Sequence, residues 1–287
     1  MLSYKEVSIV IVSYKSKKKI LKFLEKISKN KKIIIIENSN DLDFKQELSK
    51  IYQNVEIYFP NNIGYGCSAN YARKKINTEY FFLFNPDLEE VYPDLIEQFL
   101  IYGKKLNNQF SCLGPRYKNI NKKTLKQSNI NEEIGSIKAI SGAAMFFNCN
   151  KFDLIGGFDE NFFLYFEETD YCKRGRKLNL KSYQLNRMII GHNVGTAVEF
   201  ETDEEKNKIK KLCSWHFIWS KYYFYKKNYG NLLSIFIFLP IILRSALKIV
   251  ISYVLKNQNN LEKYRIRING LISSILGKKS YKRIDHF

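Results

Sequence analysis

Three short segments of the 287-residue chain carry the side chains from which a reaction centre could be built. FFLFNPDLEE, residues 81–90, sets Asp87 and then Glu89 just beyond an aromatic run. Oxygen donors in that position suit a hard divalent cation, Mg²⁺ or Mn²⁺, which commonly bridges a protein carboxylate to substrate phosphates. Asn-Pro-Asp is equally the composition of an ordinary turn. FFLYFEETDYCKR, residues 162–174, crowds Glu167, Glu168 and Asp170 together. Neighbouring carboxylates raise the proton affinity of at least one member, a recognised way to set up a general base. The same acids also suit a solvated helix start, where they complement the positive end of the helix dipole. IIGHNVG places His192 after an apolar run at Met188 to Ile190. Alone, such a histidine reads as structural; beside a cation held by Asp87 it reads as a nitrogen ligand whose ring a neighbour orients.

These residues need elements that hold them. VSIVIV (7–12) and IIII (33–36) are continuous β-branched runs, the pattern of strands buried on both faces of a parallel sheet. Between them Lys17 to Lys29 repeats apolar residues at Ile20, Leu21, Phe23, Leu24 and Ile27 near the helical period, so the first forty residues predict a βαβ unit. Further runs at Val55 to Phe59 and Tyr80 to Phe84 flank a helix predicted from Gly64 to Lys75. The pattern is a doubly wound α/β sheet, in which ligands bind beyond the carboxyl ends of strands. The polar groups there are Ser13-Tyr14, Glu37-Asn38-Ser39, Asn61-Asn62 and Asn85-Pro86-Asp87. After about residue 140 the alternation weakens, and Tyr117 to Glu133, rich in Asn and Lys, predicts a mobile surface excursion that could serve as an acceptor-side loop.

The charge is lopsided. Of a formal +19, residues 206–287 hold +15, from 17 Lys or Arg against Glu262 and Asp285. Residues 232–255 are long enough to cross a bilayer but place Pro240, Arg244 and Lys248 in the middle, which predicts a broken, amphipathic, interfacial segment rather than a spanning helix, the alternative being a helical pair packed on the catalytic domain. WHFIWSKYYFYKK before it mixes Trp, Tyr and Lys as at a headgroup boundary. The expected organisation is a catalytic domain over 1–205 and a basic, aromatic-rich, helical membrane-associating region over 206–287. Five cysteines without a C-x-x-C pair, and no signal-like leader, predict a reduced cytoplasmic protein, peripheral on the inner face of the cell membrane.

Taken in order, SIVIVSYKS, IIIIENSN, NNIGYGCSAN, FLFNPDLE, SGAAMFF, IGGFDENFFLYFEETDYCKR and GHNVG resemble the family 2 glycosyltransferases, over roughly residues 6–200 and closest to bacterial rhamnosyltransferase-like members. The resemblance implies a GT-A fold: a Rossmann-like nucleotide-diphospho-sugar-binding domain with a mixed central sheet, here with a C-terminal helical extension. It implies that Ser13 and Tyr14 line the nucleoside, and that Glu37, where the family usually has Asp, accepts a pyrimidine N3–H. Asn62, Gly64 and Asn70 would lie where the backbone passes close to the donor, with Asn85, Gly142 and Ala143 also on the donor side. Asp87 becomes the metal-binding acid of a D-x-D-like motif whose first acid is replaced by Asn85, with Glu89 an extra ligand and His192 the metal-proximal histidine. Glu168 matches the second acid of the family's Glu-Asp motif, the base of an inverting transfer, with Glu167 beside it and Asp170 positioning neighbours through Arg174. The implied donor is a nucleotide-diphospho-sugar, first of all dTDP-rhamnose, and the implied acceptor a lipid-linked or lipopolysaccharide-type glycan. Two rivals remain at this level: a nucleic-acid-binding protein gripping phosphates with Tyr264, Arg265, Arg267 and Tyr281, which the neighbouring apolar block disfavours, and a catalytically inactive sugar-binding scaffold.

Overall fold

The structure is a computed structural model that describes residues 6–26, 31–92, 94–118 and 126–287. It forms two compact units, Met1–Asp159 with Glu168–Glu199, and Glu160–Glu167 with Phe200–Phe287.

The first unit is built as the apolar runs require. β1 (Val7–Ser13), β2 (Ile33–Glu37), β3 (Val55–Tyr58) and β4 (Tyr80–Phe84) pair in parallel, in the order β3-β2-β1-β4. The registers Ser13↔Glu37 and Ile11↔Phe84 bring the carboxyl ends of three strands to one edge. α1 (Lys17–Leu24), α2 (Leu42–Ile51) and α4 (Leu95–Lys105) cover one face, where Phe23, Phe44, Leu48, Leu95 and Phe99 pack on Ile9, Ile11, Phe82 and Phe84. α3 (Tyr65–Arg73) covers the other, setting Ala69 and Ala72 against Val10, Ile34, Phe81 and Leu83. Small residues let α3 approach the sheet closely. α2 starts cleanly because the Asp41 carboxylate accepts from the Phe44 N–H at 3.0 Å.

Alternation does not weaken after residue 140 as the sequence led us to expect. β8 (Ala144–Asn148) pairs antiparallel with β4, joining β4 to β6 (Phe110–Tyr117), while α5 (Cys149–Ile155), α6 (Glu167–Lys177) and β9 (Lys181–His192) follow. β5 (Leu88–Glu89) and β7 (Ile134–Ile137) lie antiparallel to β9, completing among the described residues a mixed nine-stranded sheet. Part of the Tyr117 to Glu133 excursion, residues 119–125, lies outside the described residues, as does Ile27. The rest of that segment is bound down. Gln127 and the Tyr117 backbone exchange hydrogen bonds, and Ser128 bonds Gln184 and Asn186 on β9.

The second unit is a helical bundle of α7 (Asp203–Tyr229), α8 (Asn231–Val254) and α9 (Gln258–Ile275). Thr202 caps α7 through the Glu205 N–H at 3.1 Å, with Asp203, Glu204 and Glu205 complementing the dipole in the first turn. Ile218 and Tyr222 of α7, Phe238 of α8 and Leu271 of α9 form its core. α8 runs unbroken through Pro240, correcting the expectation of a broken segment. Phe238, Ile241 and Ile242 around the proline pack into the bundle, and this packing offsets the hydrogen bond that proline removes. The buried His216 ring bonds Ser280 and the Lys282 carbonyl, and burial pushes its pKa down to about 4, so it is neutral when it ties the C-terminal segment to α7.

Candidate functional site

Ser13, Glu37, Asn85, Asp87 and His192 lie at or just beyond strand ends of the first unit, whereas Glu167, Glu168 and Asp170 lie on α6. Ser13 closes β1 and Glu37 closes β2, both buried, and the Ser13 hydroxyl donates to Glu37 Oε2. The other Glu37 oxygen accepts from the Ser39 hydroxyl and backbone N–H. Asn38 ties the same corner together, its amide donating to the Ser13 carbonyl and to the Ser68 hydroxyl at 3.0 Å. Gly64 precedes α3 with φ 88°, a left-handed conformation that favours glycine, and Asn62 is half-buried just before it. The Tyr65 hydroxyl donates to the Gly142 carbonyl, and Asn85 N–H bonds the buried Ala143 carbonyl at 2.8 Å, so the SGAAMFF segment borders the β4 end. The Asn70 amide donates to the Phe158 carbonyl and accepts from the Phe158 N–H, both at 2.9 Å, clamping the Gly156-Gly157 turn.

Beyond β4 the chain turns through Pro86 and buries Asp87 to 5% exposure. Antiparallel pairing of Leu88 with His192 brings the end of β9 alongside, leaving His192 Nε2 3.4 Å from Asp87 Oδ1. That oxygen is buried and makes no hydrogen bond. A shielded carboxylate oxygen that only the His192 ring approaches and that no donor hydrogen-bonds is costly, and a cation relieves it. Asn193 donates to Glu89, which is exposed beside the pair, and the Tyr117 ring lies 5.6 Å from the His192 ring. No three His, Cys, Asp or Glu side chains form a closed metal cage among the described residues. The donor set of Asp87 and His192 therefore suits a cation that completes its shell with water and substrate phosphate, as Mg²⁺ and Mn²⁺ commonly do. A cleft of about 310 Å³ opens at this point, bounded by Asp87 and Glu89 on one side and by Lys19, Lys22 and Lys26 of the α1 segment on the other.

α6 presents the acidic cluster. Glu167 is buried and Glu168 half-buried, and desolvation pushes the Glu168 carboxyl above the usual carboxylate range. Its pKa is held back by hydrogen bonds from its own N–H, the Thr169 hydroxyl and the Thr169 N–H, the open donors of the helix start. The backbone just ahead is left-handed at Tyr165 and Phe166, φ 70° each, a conformation costly for aromatic residues. Asp170 is fully buried and accepts from Arg174 Nε at 2.8 Å, the expected pairing, while the Arg174 guanidinium also holds the Ile155 and Gly157 carbonyls. Asp170→Ala is expected to leave that guanidinium without its carboxylate and to cost roughly 3 kcal/mol, with Asp170→Asn milder. Urea unfolding checks this; a midpoint unchanged in Asp170→Ala would show the pair contributes nothing.

Several residues that hold the site together escaped the sequence reading. Lys19 and Lys22 share a face of α1 by their i, i+3 spacing, a signal present but unused, and Lys26 joins them at the cleft from the turn after the helix. Glu199 has no such signal: its carboxylate accepts from the Lys19 N–H at 3.1 Å and its own N–H bonds the Lys15 carbonyl at 2.7 Å, tying the segment after His192 to the β1–α1 turn. Tyr117 lay hidden at the edge of a presumed loop.

An open parallel half-sheet extended by antiparallel strands, with a carboxylate at the end of β4, defines the GT-A class. Its likeness to solved structures supports this: the mannosyltransferase PcManGT of Pyrobaculum calidifontis, in complex with GDP-Man and Mn²⁺, aligns over 96% of this chain and 88% of its own with a TM-score of 0.61 at 8% identity. S. aureus TarS 1–349, in complex with UDP-GlcNAc, aligns over 96% and 93% with a TM-score of 0.54 at 14% identity. Residues 8–176 match the sequence profile of glycosyl transferase family 2, and the chain belongs to that family. It is also 26% identical, over 66% of its length and 67% of the relative's, to the low-salt glycan biosynthesis hexosyltransferase Agl10 of Haloferax volcanii.

Proposed function

We propose that this chain is a metal-dependent, inverting hexosyltransferase that moves a sugar from a nucleotide-diphospho-sugar to a hydroxyl of a glycan acceptor carried on a lipid at the inner membrane face. The observation that carries the reading is the buried, unbonded Asp87 oxygen 3.4 Å from His192 at the end of β4. Support for the donor class comes from the neighbours solved with GDP-Man and UDP-GlcNAc, and for hexosyl transfer in glycan assembly from the Haloferax relative. Within that class dTDP-rhamnose is the first donor to test, on the order of motifs alone.

Ser13, Tyr14 and Glu37 form the nucleoside wall, with Glu37 accepting the N3–H through the second lone pair of Oε2, whose first takes the Ser13 hydroxyl, while Ser39 fills both of Oε1. Backbone at Asn62, Gly64 and Gly142 to Ala143 borders the donor. Asp87 and His192, with Glu89 at the rim, would hold the cation. Bound there, Mg²⁺ or Mn²⁺ neutralises charge on the departing nucleoside diphosphate. Glu168 takes the proton from the acceptor hydroxyl as its oxygen bonds the anomeric carbon; the bond from that carbon to the diphosphate oxygen breaks on the opposite face, inverting the centre. Desolvation strengthens Glu168 as a base. Glu167 lies beside it, and Asp170 with Arg174 fixes the helix turn that carries it.

Transfer with a purified donor, read by NMR of the product, tests the reading: an anomeric configuration opposite to the donor's is expected, and retention excludes direct displacement. His192→Ala is expected to raise the Mn²⁺ concentration needed for half-maximal activity about tenfold, while saturating Mn²⁺ restores much of the rate. A metal titration superimposable on the parent's would make His192 structural.

A further inference from the structure

In α8 apolar residues lie on both faces: Phe238, Ile241 and Ile242 pack into the bundle, and a second apolar row faces outward. Ser234, Ser245 and Ser252 are buried, while Leu232, Phe236, Leu239, Leu243, Leu247, Val250 and Val254 are exposed. The exposed set advances by four, three, four, four, three and four residues, so it forms one continuous stripe along a helix roughly 36 Å long at 1.5 Å per residue. Arg244 and Lys248, one residue beyond Leu243 and Leu247, fall together along one border of this stripe, and the helix contains no acid. The surrounding residues 206–287 carry +15.

We propose that α8 lies in the plane of an anionic bilayer surface, its Leu232-to-Val254 stripe among the upper acyl chains and its Arg244–Lys248 border at the headgroups. This specifies the membrane part of the reading above and does not depend on the transfer chemistry. Three arguments select this occupant. A spanning orientation would put both cations near the bilayer centre, each disfavoured roughly 10²-fold on insertion scales, whereas in the plane both reach headgroup phosphates. A second copy packed on the same stripe would bring two Arg244–Lys248 borders together without an intervening acid. An anionic leaflet instead matches the stripe and the charge at once.

The test uses the full chain and vesicles, without donor or acceptor. Sedimentation with vesicles containing phosphatidylglycerol is expected to exceed that with phosphatidylcholine alone at least tenfold. R244Q/K248Q should weaken the anionic binding roughly 30-fold, as expected for two basic residues at a charged surface. L243S/L247S should abolish it; both positions are exposed, 61% and 59%, so the bundle stays packed and the thermal response to donor should be kept. Tryptophans added by Leu232→Trp, Leu243→Trp and Val254→Trp should each gain the same quenching by shallow brominated lipids over the parent's Trp215 and Trp219 background, which is buried. Deeper quenching at the central position than at the two ends would mean a spanning helix. Absence of lipid preference, a solution dimer that L243S/L247S dissociates, or oligonucleotide binding that outcompetes the vesicles would each overturn the proposal. Loss of transfer with vesicle binding intact would refute the transferase reading alone.

Discussion

Glu168→Gln is expected to lower sugar transfer by roughly 10²- to 10⁴-fold, the usual contribution of general-base catalysis, with donor affinity nearly unchanged. Glutamine keeps the shape that accepts from the Thr169 hydroxyl but cannot take the acceptor's proton. Glu167→Gln is the paired control; if it is the dead variant and Glu168→Gln is active, the base is Glu167. The raised carboxyl affects the pH response in two opposed ways. The base works only as carboxylate, so transfer is lost as pH falls through a value above the ordinary 4.5. For stability the sign reverses. The native state binds this proton more tightly than the unfolded chain, so Glu168's contribution is fully present below the ordinary value and is lost as pH rises through the raised one. Glu168→Gln removes a desolvated, half-buried charge at neutral pH and should raise the melting temperature there, with the difference vanishing in acid. A dead variant that is also less stable at neutral pH would mean the carboxylate is structural.

Asp87→Ala carries the second large effect. Removing the buried carboxylate takes the anchor from the cation site, and the several kcal/mol that such a site supplies in the transition state correspond to roughly 10²- to 10³-fold in kcat/KM. Nucleoside diphosphate affinity should fall with it, and EDTA should bring the parent down to the variant's level while leaving the variant unmoved. The fold itself should survive, because Asp87 Oδ1 makes no hydrogen bond and loses only its 3.4 Å contact with His192. Parent turnover undiminished in EDTA contradicts the metal assignment whatever the variant does.

The parallel half of the fold was legible because β1, β2 and β4 are uninterrupted apolar runs, and a strand buried on both faces leaves just that pattern. β9 was legible only at its end. Its middle buries Gln184 and Asn186, which look like surface residues until Gln127, Ser128 and Asn129 arrive from a distant segment to satisfy them. β6 was missed for a related reason: FSCLGPRY mixes Ser, Gly and Pro, and its pairing with β9 shifts register on both sides of that stretch. In the candidate site, Asp87, Glu168 and His192 were found because each directly follows an apolar or aromatic run. What their sequence could not show is that β5 and β9 pair so as to bring His192 to Asp87, since that contact depends on a register between Leu88 and His192, which lie far apart in the chain. Asn70 misled because an asparagine near a glycine-rich turn reads as a ligand contact, whereas its amide serves the Phe158 backbone. Pro240 misled because helix rules describe isolated segments, and here a packed bundle carries the helix past it.

The most direct test of the central claim is a thermal-shift titration of the parent and Asp87→Ala with a panel of nucleotide-diphospho-sugars, each with Mn²⁺ and with EDTA. A ligand at about 100 times its Kd stabilises the state it binds by about 2.7 kcal/mol, which a protein of this size reports as a shift of several degrees. At least one nucleotide sugar is expected to raise the parent's midpoint in Mn²⁺ far more than in EDTA, with that difference absent from Asp87→Ala. A panel in which no nucleotide sugar shifts the parent, or in which Asp87→Ala keeps the full Mn²⁺-dependent shift, would contradict the account.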